Sequence, residues 1–144
     1  MTGQIVLDAS AAVHLVMESE YAGTLVETLS LADAAIAPDL FYCEVANSLW
    51  KYLQNGSLET NEALARMDKA SSLIDFAFSS RVLAAEALIA AETHAHPVYD
   101  LTYAVLARRY GATVVTMDRR FLRLLGTMGI AASSPLIQGE TKPR

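Results

Sequence analysis

The chain has 144 residues, of which 53% are hydrophobic and 19% are charged, and its formal net charge is −5 at pH 7. This composition excludes a disordered or low-complexity chain and predicts one folded domain with a substantial core. No run of about 18 apolar residues is present and no basic segment precedes an apolar stretch at the start, so we expect a cytoplasmic protein without a signal peptide or membrane span.

Strands and helices are predicted to alternate from the first residues onward. The first part of the chain predicts a strand at 4–8, a helix at 9–16, a helix near 20–33, a strand at 34–37 and a helix at 38–54. Pro38 and Asp39 suit the first turn of the last helix, because proline and acids are favoured there. Asn55 and Gly56 suit its end.

The remaining chain continues the alternation. It predicts helices near 58–72, 80–94 and 98–110, a strand at 112–116, a short helix at 119–125 and an edge strand near 130–132. Residues 73–78 fit either a short strand or a connection. Strands that alternate with helices indicate an α/β domain with a mainly parallel sheet. We therefore predict one domain over residues 1–137 and a mobile tail over residues 138–144.

Four acids lie within or directly after apolar segments: Asp8, Glu44, Asp100 and Asp118. A carboxylate in such surroundings loses hydration, which is costly unless a cation or hydrogen-bond donors compensate. Asp8 and Asp118 follow predicted strands, and ligand sites of parallel sheets form beyond the carboxyl ends of their strands. If the fold gathers all four acids, their oxygens suit Mg²⁺ or Mn²⁺. Such a site is typical of phosphodiester hydrolysis.

Each of these acids also has an ordinary structural interpretation. Asp8 and Asp118 could cap the helices that follow them. Asp100 could favour the positive end of its own helix. Glu44 could be a surface residue on the polar face of its helix, with Lys51 two turns away. The sequence pattern by itself leaves both interpretations open.

Positive charge is concentrated towards the end of the chain. Residues 1–107 contain 14 acids and 4 Lys or Arg, whereas residues 108–144 contain 2 acids and 7 Lys or Arg. Five of these seven bracket Asp118: Arg108, Arg109, Arg119, Arg120 and Arg123. They could be solvated helix faces, or they could form a cationic rim beside an acidic pocket that holds phosphates.

Other residue types give little support to other chemistry. His94 and His96 are two residues apart, so they point to different sides of a helix and lack the spacing of helical metal ligands. Tyr99 and Tyr103 are expected to pack rather than to stack on bases. Cys43 is the only cysteine, which excludes an internal disulfide, and it is expected to be buried.

The four acids stand in four longer stretches: Ile5–Ser10, Ala37–Asn47, Val98–Ala107 and Val115–Phe121. In this combination and order the stretches resemble the PIN-domain family, in particular the VapC-type ribonuclease toxins of prokaryotic toxin–antitoxin pairs. The resemblance covers about residues 4–132. It implies a three-layer α/β/α fold with a mainly parallel central sheet.

The resemblance also implies roles for particular residues. The acidic metal-binding and catalytic residues of the family fall on Asp8, Glu44, Asp100 and Asp118. Its small hydroxyl residues fall on Ser10 and Thr116, which would orient carboxylates or waters around a metal. Asn47, one turn beyond Glu44, is a further candidate for this supporting role. A homodimer and a partner antitoxin that blocks the site are implied as well.

The sequence therefore predicts a Mg²⁺- or Mn²⁺-dependent endoribonuclease, the toxin of a toxin–antitoxin pair. Arg119, Arg120 and Arg123 would place the RNA backbone. The alternative is a PIN-like binding module with weak or no catalysis, in which apolar residues of segments 20–35 and 58–80 would pack against a partner or a second copy. A phosphatase-like or deoxyribonuclease activity of the same site is a third possibility.

Overall fold

Five parallel strands form the central sheet of the protein. In the computed structural model, which describes residues 3–138, they are β1 (Gln4–Leu7), β2 (Ala34–Pro38), β3 (Phe76–Phe78), β4 (Thr113–Val115) and β5 (Ala132–Ser133). The spatial order is β3-β2-β1-β4-β5, and each neighbouring pair is parallel. The predicted mainly parallel sheet is confirmed, and within the described residues it is parallel throughout.

Helices cover the sheet on both sides. They are α1 (Ala9–Val16), α2 (Ala22–Ser30), α3 (Leu40–Gln54), α4 (Thr60–Ser72), α5 (Ser80–His94), α6 (Val98–Tyr110), α7 (Arg119–Met128) and α8 (Pro135–Gln138). Helix α1 contacts α2, α3 and α4, whereas α5 packs along α6 and α6 lies against β1, β2 and β4. The three-layer α/β/α arrangement is confirmed.

The central strands are buried because helices cover both of their faces. Ile5, Val6 and Leu7 of β1 are fully buried, as are Val114 and Val115 of β4. Such continuous apolar runs are typical of parallel strands with two covered faces. The core therefore lies around β1 and β4, directly beneath the ends of these two strands.

The register of β1 and β4 positions the candidate site. Leu7 pairs with Val115, and the backbone N–H of Asp8 donates to the carbonyl of Val115 at 3.1 Å. The residues that follow the two strands therefore emerge side by side at one edge of the sheet. Asp8 and Thr116 are the first of them.

Several predicted boundaries differ from the structure. Pro38 ends β2, where it pairs with Phe78 of β3, and α3 begins only at Leu40. The ambiguous segment 73–78 contains a strand, β3. The last strand begins two residues later than expected, at Ala132.

The last helices also differ from the prediction. Helix α7 extends to Met128, and Gly129 ends it with a φ of +72°. Helix α8 was not predicted, and Gln138, the first residue of the predicted tail, lies at its end. The rest of that tail lies outside the described residues. Within residues 3–138, none of the helices combines the length and the apolar character needed to cross a bilayer.

Candidate active site

A polar pocket at the carboxyl edge of the sheet brings the four predicted acids together. We call it the acid pocket; its volume is about 230 Å³, and its lining residues are Asp8, Ala9, Ser10, Glu44, Asn47, Ser48, Asp100, Tyr103 and Asp118. Asp8 follows β1, Glu44 lies on α3, Asp100 lies in the first turn of α6, and Asp118 precedes α7. Four separate segments of the chain therefore meet here.

Asp8 is the most deeply buried of the four acids, with 6% of its surface exposed. Its Oδ1 accepts hydrogen bonds from Ser10 Oγ at 2.7 Å and from the N–H of Ala11 at 3.0 Å, and its Oδ2 accepts one from Thr116 Oγ1. Burial nevertheless raises the pKa of Asp8 from 3.8 to about 7, and the charge of Asp100 adds to the rise. Asp8 thus caps α1 and also faces the acid pocket.

Ser10 and Thr116 connect the ends of β1 and β4 around Asp8. Their hydroxyl oxygens are 3.2 Å apart. Ser10 Oγ accepts from the N–H of Met117 at 2.9 Å, and Thr116 Oγ1 accepts from the N–H of Asp118 at 3.1 Å. Both hydroxyls therefore contact Asp8 and, at the same time, fix the backbone that carries Asp118.

Glu44 is held by Tyr103, which was expected only to pack. The hydroxyl of Tyr103 donates to Glu44 Oε1 at 2.7 Å, and Tyr103 is 1% exposed. Burial is the main reason why the pKa of Glu44 is raised, and the charge of Asp100 contributes. The pKa of Tyr103 is raised as well, by burial first and then by Glu44, so the phenol remains a donor. Tyr103 is three residues from Asp100 in α6, and this spacing was the sequence signal that it lies on the same side of the helix as Asp100.

Asp100 has a histidine partner, His96, that was not predicted. His96 Nε2 lies 2.8 Å from Asp100 Oδ2, and His96 is buried. The two residues are four positions apart across the start of α6. The contact fixes the orientation of the Asp100 carboxylate. The four-residue spacing of His96 and Asp100 in the sequence could have indicated this contact.

Asp118 and Asn47 form the more open side of the acid pocket. Asp118 is exposed and caps α7, with its Oδ1 accepting from the N–H groups of Arg120 at 2.9 Å and Phe121 at 3.2 Å. Asn47 is exposed one turn beyond Glu44 on α3. The capping interpretation of Asp8 and Asp118 is therefore correct, and both residues also line the pocket.

Arg108 and Arg109 are not beside the acid pocket. Both form salt bridges with Glu86 of α5, at 2.7 and 3.0 Å, and Arg109 Nη2 also donates to the carbonyl of Val82 at 2.9 Å. They lie at the end of α6 opposite to Asp100, about 12 Å along the helix axis. The interpretation of these two arginines as part of a cationic rim beside Asp118 is therefore wrong.

The other three arginines lie on α7, whose first turn is capped by Asp118. Arg119, Arg120 and Arg123 are exposed there. None of them is among the residues that line the acid pocket. They follow Asp118, which lies on the open side of the pocket, closely in the sequence. Their contact with RNA stays a prediction.

Two further expectations about exposure were wrong. Cys43 is exposed, because it lies on the face of α3 that points away from the buried Phe41 and Val45. Tyr99 is 63% exposed and so is not a packing residue. Both residues line a shallow hollow next to Glu44.

The chemistry of the acid pocket fits a divalent cation. Its polar lining consists of carboxylates, an amide and hydroxyls, and none of the lining residues is cationic within the described part of the chain. Burial is the main cause of the raised pKa of Asp8 and of Glu44, and the charge of Asp100 adds a repulsion that a cation would relieve. Among residues 3–138, no three or more His, Cys, Asp or Glu side chains lie close enough together to hold a metal ion. Magnesium suits such a site, because it keeps several waters and uses few carboxylates.

Comparison with known proteins identifies the family. The family model described as PIN domain matches residues 5–125. A relative from Pyrobaculum aerophilum, named Ribonuclease VapC3, is 31% identical over 122 residues, which cover 81% of this chain and 91% of the relative.

Solved structures share the fold at lower identity. A crystal structure of a Pyrobaculum aerophilum protein has a TM-score of 0.67 at 24% identity, covering 90% of this chain and 82% of that one. VapBC2 from Rickettsia felis, bound to a DNA fragment from their promoter, has a TM-score of 0.64 at 13% identity, covering 91% and 98%. Mycobacterium tuberculosis VapC20, a sarcin-ricin loop cleaving toxin, has a TM-score of 0.59 at 17% identity, covering 83% and 94%. The family match and the 31% identical relative together show that this chain belongs to the PIN-domain family.

Proposed function

We propose that the protein is a Mg²⁺- or Mn²⁺-dependent endoribonuclease and the toxin of a toxin–antitoxin pair. The observation that carries this proposal is the acid pocket, in which four carboxylates from distant segments meet without a cationic neighbour among its lining residues. The name of the 31% identical relative, Ribonuclease VapC3, supports RNA as the substrate.

The catalytic and metal-binding residues of this proposal are Asp8, Glu44, Asp100 and Asp118. A divalent cation bound there supplies Lewis-acid activation of the phosphodiester and of water, and shields the developing charge. Hydrogen bonds within the protein orient three of these carboxylates before a metal binds. Tyr103 fixes Glu44, His96 fixes Asp100, and Ser10 and Thr116 fix Asp8. Such supporting contacts tune affinity and geometry at metal sites. Asn47, which lines the open side of the pocket, would help to orient a carboxylate or a water around the metal.

Proton release from Asp8 is part of this proposal. A carboxyl group must be ionised to bind a metal. Because the pKa of Asp8 is about 7 without a cation, part of the population carries a proton there at neutral pH. Metal affinity should therefore increase as the pH rises through 7. The hydrogen bonds from Ser10, Ala11 and Thr116 keep the carboxylate in place once it is ionised.

The RNA backbone would lie across the N-terminal part of α7. Arg119, Arg120 and Arg123 are exposed there, next to Asp118. Arginine side chains are well suited to phosphate oxygens. The proposed RNA contacts therefore include the arginines of α7. They do not include Arg108 and Arg109, because these form salt bridges with Glu86 away from the pocket.

Assembly with an antitoxin and as a homodimer also belongs to the proposal. A structural neighbour, VapBC2, supports a two-component system. Apolar side chains in segments 20–35 and 58–80 are more than half exposed: Val26, Leu31, Leu64 and Phe76. Exposed apolar side chains in the same segments suit contact with another chain. Location in the cytoplasm stays a prediction.

Cleavage of single-stranded RNA by purified protein tests the proposed function. The wild type should cut RNA with Mn²⁺ or Mg²⁺ and lose activity in EDTA. Asp8→Asn and Asp100→Asn should each lower the rate roughly 100-fold or more, because they remove a charged ligand. Asp68→Asn, a change of an exposed acid on α4, is the matched control. Undiminished cleavage by both pocket variants would sink the assignment.

The binding-module alternative retains one specific observation, the exposed apolar side chains of α2 and α4. It predicts no cleavage of RNA with either metal and no thermal stabilisation by Mn²⁺. Parallel assays on single-stranded DNA of the same sequence separate a ribonuclease from a deoxyribonuclease that uses the same site.

A further inference from the structure

A second cavity adjoins the acid pocket. We call it the α1–α3 groove; its volume is about 440 Å³, and its lining residues are Ser10, Val13, His14, Ser48, Lys51, Tyr52 and Asn55. Ser10 and Ser48 line the acid pocket as well. The two cavities therefore share a wall, and the groove leads away from the four acids between α1 and α3.

The groove follows one face of α3. Glu44, Ser48, Lys51 and Asn55 are three or four residues apart, so they lie in one row along the helix. Glu44 stands at the acid pocket, and Lys51 is seven residues further, about 10 Å along the helix axis. This row thus connects the acid pocket with the far end of the groove.

The charge of the groove is opposite to that of the acid pocket. Lys51 is exposed and forms no salt bridge with any residue the structure describes. None of the described lining residues is acidic. Burial lowers the pKa of His14, which favours the neutral form of its ring. Lys51 therefore supplies the positive charge of the groove.

The remaining polar groups of the groove are suited to a nucleic-acid backbone. Asn55 Oδ1 accepts from the N–H of Ser57 at 2.9 Å, which leaves the amide N–H groups of Asn55 as donors. Ser48 and Tyr52 contribute hydroxyls. Lysine, amide and hydroxyl groups are those that proteins commonly direct at phosphate and sugar oxygens.

We propose that the α1–α3 groove binds the RNA strand on one side of the cleaved bond, and that Lys51 contacts a backbone phosphate a few nucleotides from it. This inference rests on the proposed function, because a strand in the groove would be substrate only if the adjoining acid pocket cleaves RNA. Since the contact is to phosphate, it strengthens binding to RNA of any sequence and decreases with salt.

Binding of a labelled single-stranded oligoribonucleotide tests the inference without cleavage. Fluorescence anisotropy is measured over a range of KCl concentrations on Asp100→Asn protein in EDTA, with and without Lys51→Ala. The second change should raise the Kd roughly threefold to tenfold and make the log–log salt dependence shallower by about 0.7, the value for one lost phosphate contact with a single strand. Lys51→Arg should retain most of the affinity.

Two controls make the test specific to the groove. Lys69→Ala removes an exposed lysine on α4, outside the groove, and should change neither the Kd nor the salt slope. Oligoribonucleotides shortened from one end, but still cleaved, should lose the effect of Lys51→Ala once they no longer reach this residue. When Asp100 is intact, Lys51→Ala should raise KM and leave kcat unchanged, as expected for a contact that binds the ground state and the transition state equally.

The inference and the proposed function can fail separately. Suppose that the wild type cleaves RNA, but that Lys51→Ala and Lys51→Gln change neither the Kd and salt slope of the Asp100→Asn protein nor the KM of the wild type. The groove then does not bind RNA, and the inference is overturned while the function stands. If the wild type neither binds nor cleaves RNA, both are overturned. An equal loss with Lys69→Ala would indicate a general charge effect and would also contradict the inference.

Discussion

Asp8 shows how one side chain can have a structural and a chemical role at once. It caps α1 and accepts three hydrogen bonds, and each of these lowers its pKa. Burial outweighs them, so that the carboxyl remains difficult to ionise in the absence of a cation. A side chain selected only as a helix cap would not need this burial, because exposed Asp or Asn caps equally well.

The raised pKa of Asp8 predicts a pH-dependent stability. The folded pKa of about 7 exceeds the unfolded value near 3.8, so the contribution is fully present below about pH 4 and is lost as the pH rises through 7. In EDTA, the stability of Asp8→Asn relative to the wild type should therefore increase as the pH rises from about 4 to about 7, by about 4 kcal/mol at most, and should stay level above pH 8. Urea unfolding of both proteins at several pH values measures this difference. A difference that stays constant with pH would show that the carboxyl ionises normally.

Tyr103 provides a second prediction at this scale. Tyr103→Phe keeps the buried ring and removes the donor to Glu44, so the protein should stay folded and bind Mn²⁺ roughly 10- to 100-fold more weakly. Calorimetric titration with Mn²⁺ measures the affinity. Tyr42→Phe is the matched control, since this half-buried tyrosine of α3 forms no side-chain hydrogen bond within the described residues. Equal affinity of Tyr103→Phe and the wild type would contradict the positioning role.

At the scale of elements, α3 separates its tasks by face. Phe41, Val45 and Leu49 are buried against the core, whereas Glu44 and Ser48 face the acid pocket. Helical periodicity predicted the polar face that carries Glu44, because the spacing of apolar residues determines which side packs. The same reasoning could not predict that the polar row continues as the wall of a groove, since this depends on where α1 lies.

The arginines show where sequence proximity misleads. Arg108 and Arg109 are close to Asp118 along the chain, but β4 intervenes and α6 directs them to the opposite end of the fold. There Glu86 of α5 binds both. Their partner lies more than 20 residues away in sequence, and no local pattern indicates it.

The position of these arginines predicts different mutational effects. Arg108→Ala should leave RNA cleavage unchanged and cost less than about 1 kcal/mol of stability, because its salt bridge is partly exposed. Arg120→Ala and Arg123→Ala should raise the KM for RNA roughly threefold to tenfold each through lost phosphate contacts. Steady-state cleavage at fixed salt compares the three. A larger effect of Arg108→Ala than of the α7 variants would reverse the assignment.

At the scale of the whole molecule, strand order creates the site. β1 and β4 are far apart in sequence and adjacent in the sheet, so Asp8 and Asp118 emerge at the same edge. The alternation of strands and helices predicted a parallel sheet, and the four stretches of the PIN-like pattern indicated which acids would meet. The contact of Tyr103 with Glu44 joins residues 59 positions apart, so only the fold shows it, whereas the spacing of His96 and Asp100 could have indicated their contact.

Binding of a cation by the folded molecule predicts thermal stabilisation. A ligand that binds only the folded state at 100 times its Kd stabilises it by about 2.7 kcal/mol. Mn²⁺ should therefore raise the Tm of the wild type at pH 8, and EDTA should reverse the shift. Asp100→Asn should show a much smaller shift, whereas Asp68→Asn should behave as the wild type. An identical shift in Asp100→Asn would place the cation elsewhere.

The central claim is that Asp8, Glu44, Asp100 and Asp118 form one metal site. Anomalous diffraction from a crystal soaked in Mn²⁺ tests it most directly. We predict a strong anomalous peak within the acid pocket, between Asp8 and Asp100, that is absent from crystals of Asp100→Asn prepared in the same way. A manganese peak bound away from these carboxylates, with none in the pocket at a concentration that supports RNA cleavage, would contradict the claim.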